Sequence, residues 1–251
     1  MIEKDKYVFL LGGHDLEMME IKNILVGHGL TYYDNNLEWG AKLSSYSEYF
    51  NGEKTFVGIE LIKDIATPKN YEEIDHHNEN SNKPSSIEQI AGLLKIELNN
   101  YQKLVAANDR GYIPAMEKMG ATKKEIDKIR LEDRLAQDVT IEDEKLAELS
   151  IKENLSKVDD IVIVNALTEK HSPIIDKLYP IQKLIICTNF QIDFYGHGAS
   201  VVAENWQNLI KENKVYSGGG ADGFVGTVKG AFDETQISVL KKELIELIKG
   251  I

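Results

Sequence analysis

Apolar and polar positions alternate along the chain in two registers, one of strand length and one with helical spacing. Residues 7–11 (Tyr-Val-Phe-Leu-Leu) form a strand-length apolar run that ends at Gly12-Gly13. Met18, Met19, Ile21, Ile24 and Leu25 then recur at helical spacing up to Gly27 and Gly29. The pattern predicts a strand, a tight loop and a helix. Strands are predicted over 55–61 and in the segment running into Ile74, from β-branched and aromatic content. Ser85 with Glu88 three residues on has capping-box spacing and predicts a helix start, and another helix is expected over 100–108. Over 122–156 charges dominate, with apolar residues at loose helical spacing; one or two helices presenting a solvated face and linking two halves are expected. Strand patterns resume at 161–164, 184–188 and 192–195, and an apolar face on 234–249 predicts a closing helix. Alternating strands and helices imply α/β architecture, with largely parallel strands in the first half.

Composition narrows the function classes. With 29 Lys+Arg against 41 Asp+Glu the 251-residue chain carries a formal charge of −12, which argues against wrapping long nucleic acid but not against holding a short nucleotide at a metal site. The single cysteine, Cys187, excludes a disulfide framework and a Cys-rich zinc site; it sits in an apolar strand and reads as a core residue. The first six residues lack the apolar stretch of a signal peptide, and the apolar runs are too short to span a bilayer. A soluble, cytoplasmic protein without membrane association is expected.

The chemistry concentrates at predicted strand ends. Asp75-His76-His77 places three ligand-type side chains after the third strand, where open α/β sheets build their sites. Asp15 and Glu17 follow the first strand, Glu60 closes the second, and Asp109 follows a helix. Mixed carboxylate and imidazole donors suit Mn2+, and a pair of such ions can clamp a phosphoryl group. Asp15 reads equally as an ordinary helix cap, and a His-His pair as a surface feature. Residues 217–226 (Ser-Gly-Gly-Gly-Ala-Asp-Gly-Phe-Val-Gly) are dense enough in glycine to form an anion-binding nest or a plain surface loop. His197, between Gly196 and Gly198, is either a phosphate contact or a turn residue, and Tyr195 is a candidate for stacking on a base. Trp39 and Trp206 read as packing residues.

The ordered set of motifs resembles the DHH/DHHA1 phosphoesterase superfamily over essentially the whole chain. Asp15-Leu16-Glu17 resembles its first motif, Glu60 the strand-end residue of its second, Asp75-His76-His77 its third and Asp109 its fourth; the glycine run is similar to the DHHA1 signature. The resemblance implies a two-lobed α/β protein. Its parts would be an amino-terminal metal-binding catalytic domain (1–120) with a mainly parallel sheet flanked by helices, a helical linker (121–156), and a smaller substrate-binding domain with a mixed sheet (157–251). It implies Mn2+-dependent hydrolysis of a phosphodiester in a small nucleotide, a short oligonucleotide or cyclic dinucleotide, by metal-activated water. Mg2+ is the alternative ion. Asp15, Glu17, Glu60, His76 and Asp109 would hold up to two ions, His77 would face the phosphate, and Asp75 would orient the histidines. Gly218, Gly219, Gly220, Arg110 and His197 would bind substrate, in a monomer or homodimer. The chain departs from the family pattern at Leu11, where a ligating histidine is expected and for which His14 is the candidate replacement; at Glu17 and Glu60, longer than the usual Asp; and at Ala221, where the DHHA1 histidine would stand. These departures keep open a second reading, a nucleotide- or phosphate-binding regulatory protein without catalysis; a third, a hydrolase of pyrophosphate or polyphosphate, calls for a Lys/Arg lining, to which Lys83 and Arg110 lie close.

Overall fold

In the computed structural model of the chain, residues 3–38, 40–219 and 222–251 are described. Trp39, Gly220 and Ala221, each named above, lie outside them. The chain divides into two compact units, 1–138 and 139–251. The division falls within the expected linker, because its first helix packs on the helices of the first unit and its second on the sheet of the second.

The first unit carries a four-stranded, fully parallel sheet of order β2-β1-β3-β4, made of Tyr7–Leu10 (β1), Thr31–Tyr33 (β2), Thr55–Ile59 (β3) and Tyr71–Ile74 (β4). Alternation along β1 sends its side chains to opposite faces. Phe9 and Leu11 pack with Val57, Ile59 and the helices Leu16–Gly27 (α1) and Ser86–Leu94 (α2). Val8 and Leu10 pack with Phe56, Leu43 and Tyr46, the last two from a short 3-10 segment, Leu43–Tyr49. A parallel sheet apolar on both faces needs both covered, and here one cover is helical and the other is not. Ser85 and Glu88 form the reciprocal capping box at the start of α2. The helix Asn100–Lys118 (α3) is broken at Gly111 and Tyr112, the latter at φ 59, ψ −150; Pro114 sits just beyond the break, in the first turn of the restarted helix.

The helix Lys123–Ala136 (α4) corrects one expectation. Its charges do not all face solvent: Arg130, Asp133 and Arg134 are buried against the first unit. The physical reason is local: the amino end of α1 and the side chain of Asn108 on α3 present polar groups that only a polar face can satisfy.

The second unit begins with Ile141–Asn154 (α5) and carries a mixed six-stranded sheet of order β5-β6-β7-β8-β10-β9. Its strands are Leu155–Val158 (β5), Ile161–Asn165 (β6), Lys183–Cys187 (β7), Ile192–Gly196 (β8), Val215–Gly218 (β9) and Phe224–Thr227 (β10). Only β6 and β7 run parallel. One face packs on Ala199–Asn205 (α7) and Glu234–Ile248 (α8), burying Phe194, Cys187 and Trp206. The other packs over β6 and β7 on α5 and Ser172–Leu178 (α6). Where this face continues over β8 and β9, it carries a buried polar group: Asp193 contacts His171 Nδ1 at 2.5 Å and accepts from the Tyr216 hydroxyl at 3.0 Å.

Candidate metal centre

The carboxyl ends of β1, β3 and β4 lie side by side, so the residues that follow them converge. The crossing is tight at Gly12: a Cβ there would stand 2.5 Å from the Ile59 carbonyl oxygen and 2.9 Å from that of Glu60. Glu60 leaves β3 at φ 52, in the left-handed region, with its N–H donating to the Ile74 carbonyl at 2.9 Å. That turn carries its side chain to the histidines following β4.

His76 is the centre of the cluster. Its buried Nε2 lies 2.5 Å from Asp109 Oδ2, 3.5 Å from Glu60 Oε1 and 3.7 Å from Glu17 Oε2. Ser86 donates to Glu60 Oε1 at 2.6 Å, and the Ile87 N–H donates to Glu17 Oε1 at 3.1 Å, so the start of α2 holds both carboxylates. Glu60, His76, His77 and Asp109 each offer a donor atom, all within 4.8 Å of one another. The ring of His77 lies 4.3 Å from that of His76 and is half exposed. Asp75 Oδ1 accepts from the His77 backbone at 2.8 Å and meets its Nδ1 at 3.1 Å, which fixes that ring.

Charge at the site is unbalanced. Burial, with Glu60 and Asp109 nearby, lifts the Asp15 carboxyl well above its ordinary range, although Met18 N–H donates to it at 2.7 Å. Burial likewise pushes Glu17 up to about 8, against the pull of His76. For Glu60 burial acts in the same sense, but the contacts with His76 and Ser86 outweigh it and hold its carboxyl low. Burial alone would lower His76; Asp109, Glu17 and Glu60 together raise it to about 12. Three carboxylates thus surround one imidazole, with Asp15 close enough to sense Glu60 and Asp109. Glu17 Oε2, His76 Nε2 and Asp109 Oδ2 are buried with no hydrogen-bond partner, the short His76–Asp109 contact being misaligned for one. Buried polar atoms without a hydrogen bond are costly, and a divalent cation that displaced the His76 proton would satisfy all three at once. The donor set fits the ion.

The other expected residues fall as follows. Asp15 caps α1 and senses the charges of Glu60 and Asp109. His14 turns to Asp34, 4.0 Å away, which is itself paired with Lys22 at 2.7 Å. Leu11 is enclosed in the apolar core and holds no place in the cluster. Arg110 is half exposed, 3.9 Å from Glu88. In the second unit Gly218 ends β9, Gly219 turns at φ 75, and His197 Nδ1, just beyond β8, meets Asp222 Oδ1, just before β10, at 2.7 Å. Sequence reasoning overlooked Ser86 as a contact of Glu60; its signal was present, since it follows the capping serine of α2.

No family model and no curated protein sequence matches the chain. Solved structures do. A pGpG-specific phosphodiesterase, PggH of Vibrio cholerae, aligns over 96% of this chain and 99% of its own, at TM-score 0.51 and 13% identity. The exonuclease RecJ bound to manganese aligns over 98% and 91%, at TM-score 0.50 and 11% identity. A DHH domain described as a member of the s1p family of ribosomal proteins aligns over 97% and 87%, at TM-score 0.51 and 10% identity. The chain has the DHH fold. Within it, Asp75-His76-His77 stands at the end of β4 beside Glu60 and Asp109, and these residues form the candidate metal centre.

Proposed function

We propose that the protein is a divalent-cation-dependent phosphodiesterase acting on a small nucleotide, a short oligonucleotide or a cyclic dinucleotide. The observation that carries this reading is the cluster of Glu17, Glu60, His76 and Asp109, buried or half-buried, with three polar atoms that lack a hydrogen bond at the carboxyl edge of a DHH-fold sheet. These four residues would hold one cation, with Asp15 and Glu60 reaching a second position. Mixed oxygen and nitrogen donors favour Mn2+ over Mg2+. Bound there, the cations would supply Lewis acidity and a nucleophilic water near neutral pH. The chain's own residues do the rest. His77, half exposed and steered by Asp75, would donate a hydrogen bond to a phosphate oxygen. Arg110 would add positive charge. In the second unit Gly218, Gly219 and His197 offer backbone N–H groups and an imidazole that would bind a phosphate. The small-dinucleotide specificity named for PggH and the manganese named for RecJ support this substrate class and ion.

A second reading, nucleotide binding without hydrolysis, draws on Leu11. Its burial in the core leaves no imidazole at that position, and His14, facing Asp34, does not replace one. A panel of short RNA and DNA oligomers, linear and cyclic dinucleotides and pyrophosphate, incubated with Mn2+, separates the two. Turnover of a phosphodiester that disappears in Asp75→Ala is the expected result. Folded, Mn2+-loaded protein that hydrolyses no member of the panel would instead establish the binding protein.

A further inference from the structure

The buried charges of α4 meet two of the segments that carry the metal centre. Asp133 Oδ1 accepts from the backbone N–H of Leu16 at 3.3 Å and from Gln137 Nε2 at 3.1 Å. Its other oxygen accepts from Arg130 Nη1 at 2.7 Å. The same Nη1 donates to Asn108 Oδ1 at 2.9 Å, and the guanidinium lies over the Tyr112 ring, 4.4 Å from its centroid. Leu16 is the residue between Asp15 and Glu17, and Asn108 precedes Asp109. One ion pair therefore grips the chain beside three of the site's carboxylates.

Two physical points say what the grip does. A carboxylate at the amino end of α1 is favoured by the unpaired N–H groups and the helix dipole there, so Asp133 has a reason to lie at that place. A buried ion pair, in contrast, is seldom a better source of stability than apolar residues of the same volume. The backbone beside Asp109 is also strained. Tyr112 holds a left-handed φ where α3 breaks, a conformation that persists only if its surroundings impose it. Arg130 touches the chain on both sides of Asp109, at Asn108 and at Tyr112.

We propose that Arg130, Asp133 and Asn108 are positioning residues: they fix the spacing between the carboxylates of α1 and Asp109, and so set the affinity of the site for Mn2+. The proposal rests on the metal-centre reading above. The test is the double variant Arg130→Met/Asp133→Leu, which removes both charges and keeps the volume filled, measured beside wild type. Free Mn2+ is followed by electron paramagnetic resonance, and thermal unfolding is recorded without metal. Partners that orient metal ligands typically govern roughly 10- to 100-fold in affinity, and a loss of that size is expected at an unfolding temperature close to wild type. A second variant, Asn108→Leu, leaves the ion pair intact and cuts only the Arg130–Asn108 hydrogen bond; it is expected to weaken Mn2+ binding too, and decides the matter if the double variant does not fold. A merely structural pair would lower the unfolding temperature and leave the folded protein's Kd unchanged, and wild-type Mn2+ affinity in a folded variant overturns the clamp alone. Wild-type protein that binds no Mn2+ overturns the metal centre and the clamp with it.

Discussion

At His76 three carboxylates approach one imidazole nitrogen within 3.7 Å, and the titration of the site follows from that crowding. Glu17 rises from an ordinary 4.5 to about 8, so the metal-free folded state binds more protons than the unfolded state across that range, and stability falls as pH rises through it. His76 rises from 6.5 to about 12; its contribution is complete below the lower value and is lost as pH climbs toward the upper one. Both act in the same direction. The metal-free protein is therefore expected to unfold at a lower temperature at pH ~8.5 than at pH ~6, and Glu17→Gln is expected to flatten part of that slope; a calorimetric scan at the two pH values reads both. Mn2+ must displace these protons, so the stabilisation it gives should be larger at the higher pH. Leu11→His belongs to the same scale. It places an imidazole in an enclosed apolar pocket, and the expected result is a loss of about 2–4 kcal/mol in denaturant unfolding rather than a new ligand.

At the scale of elements, the site depends on how closely β1 and β3 approach beyond their ends. Gly12→Ala drives a methyl group into the Ile59 and Glu60 carbonyls, so it should cost about 1–3 kcal/mol and weaken Mn2+ binding together, since the same shift moves Glu60. Ser85→Ala removes the cap of α2 alone and should cost about 1 kcal/mol. Most elements that seat the ligands could be read from the sequence, because an apolar run ending in ligand-type residues marks a strand end: 7–11, 55–61 and the approach to Ile74 all do this. The missed strands lack that signature. β2 is three residues, none of them buried, β5 follows directly on α5, and β9 and β10 are four residues each with glycines among them. Arg130 and Asp133 were illegible for a different reason. Charge at helical spacing reads as a solvated face, and only the distant partners Leu16 and Asn108 show why it is buried. His171 and Asp193, 22 residues apart, likewise have no local signal.

For the whole molecule, every candidate ligand lies in the first unit, which has its own apolar clusters. A fragment ending at Asp138 is expected to fold and to bind Mn2+ with the affinity of the full chain; titrating fragment and full chain in parallel checks this. The formal charge of −12 sets the substrate scale as well. Long nucleic acid is bound chiefly through its phosphates by a basic track, so a long single strand should not compete with a dinucleotide at ordinary salt. Among the described residues no helix is long and apolar enough to cross a membrane.

The most direct test of the metal centre is a calorimetric titration of Mn2+ into wild type and His76→Ala at pH ~8. The expected result is saturable binding in the wild type and at least a tenfold weaker Kd in the variant, with both proteins folded. Equal Mn2+ binding by the two would contradict the assignment of His76, Glu17, Glu60 and Asp109 as the ligand set.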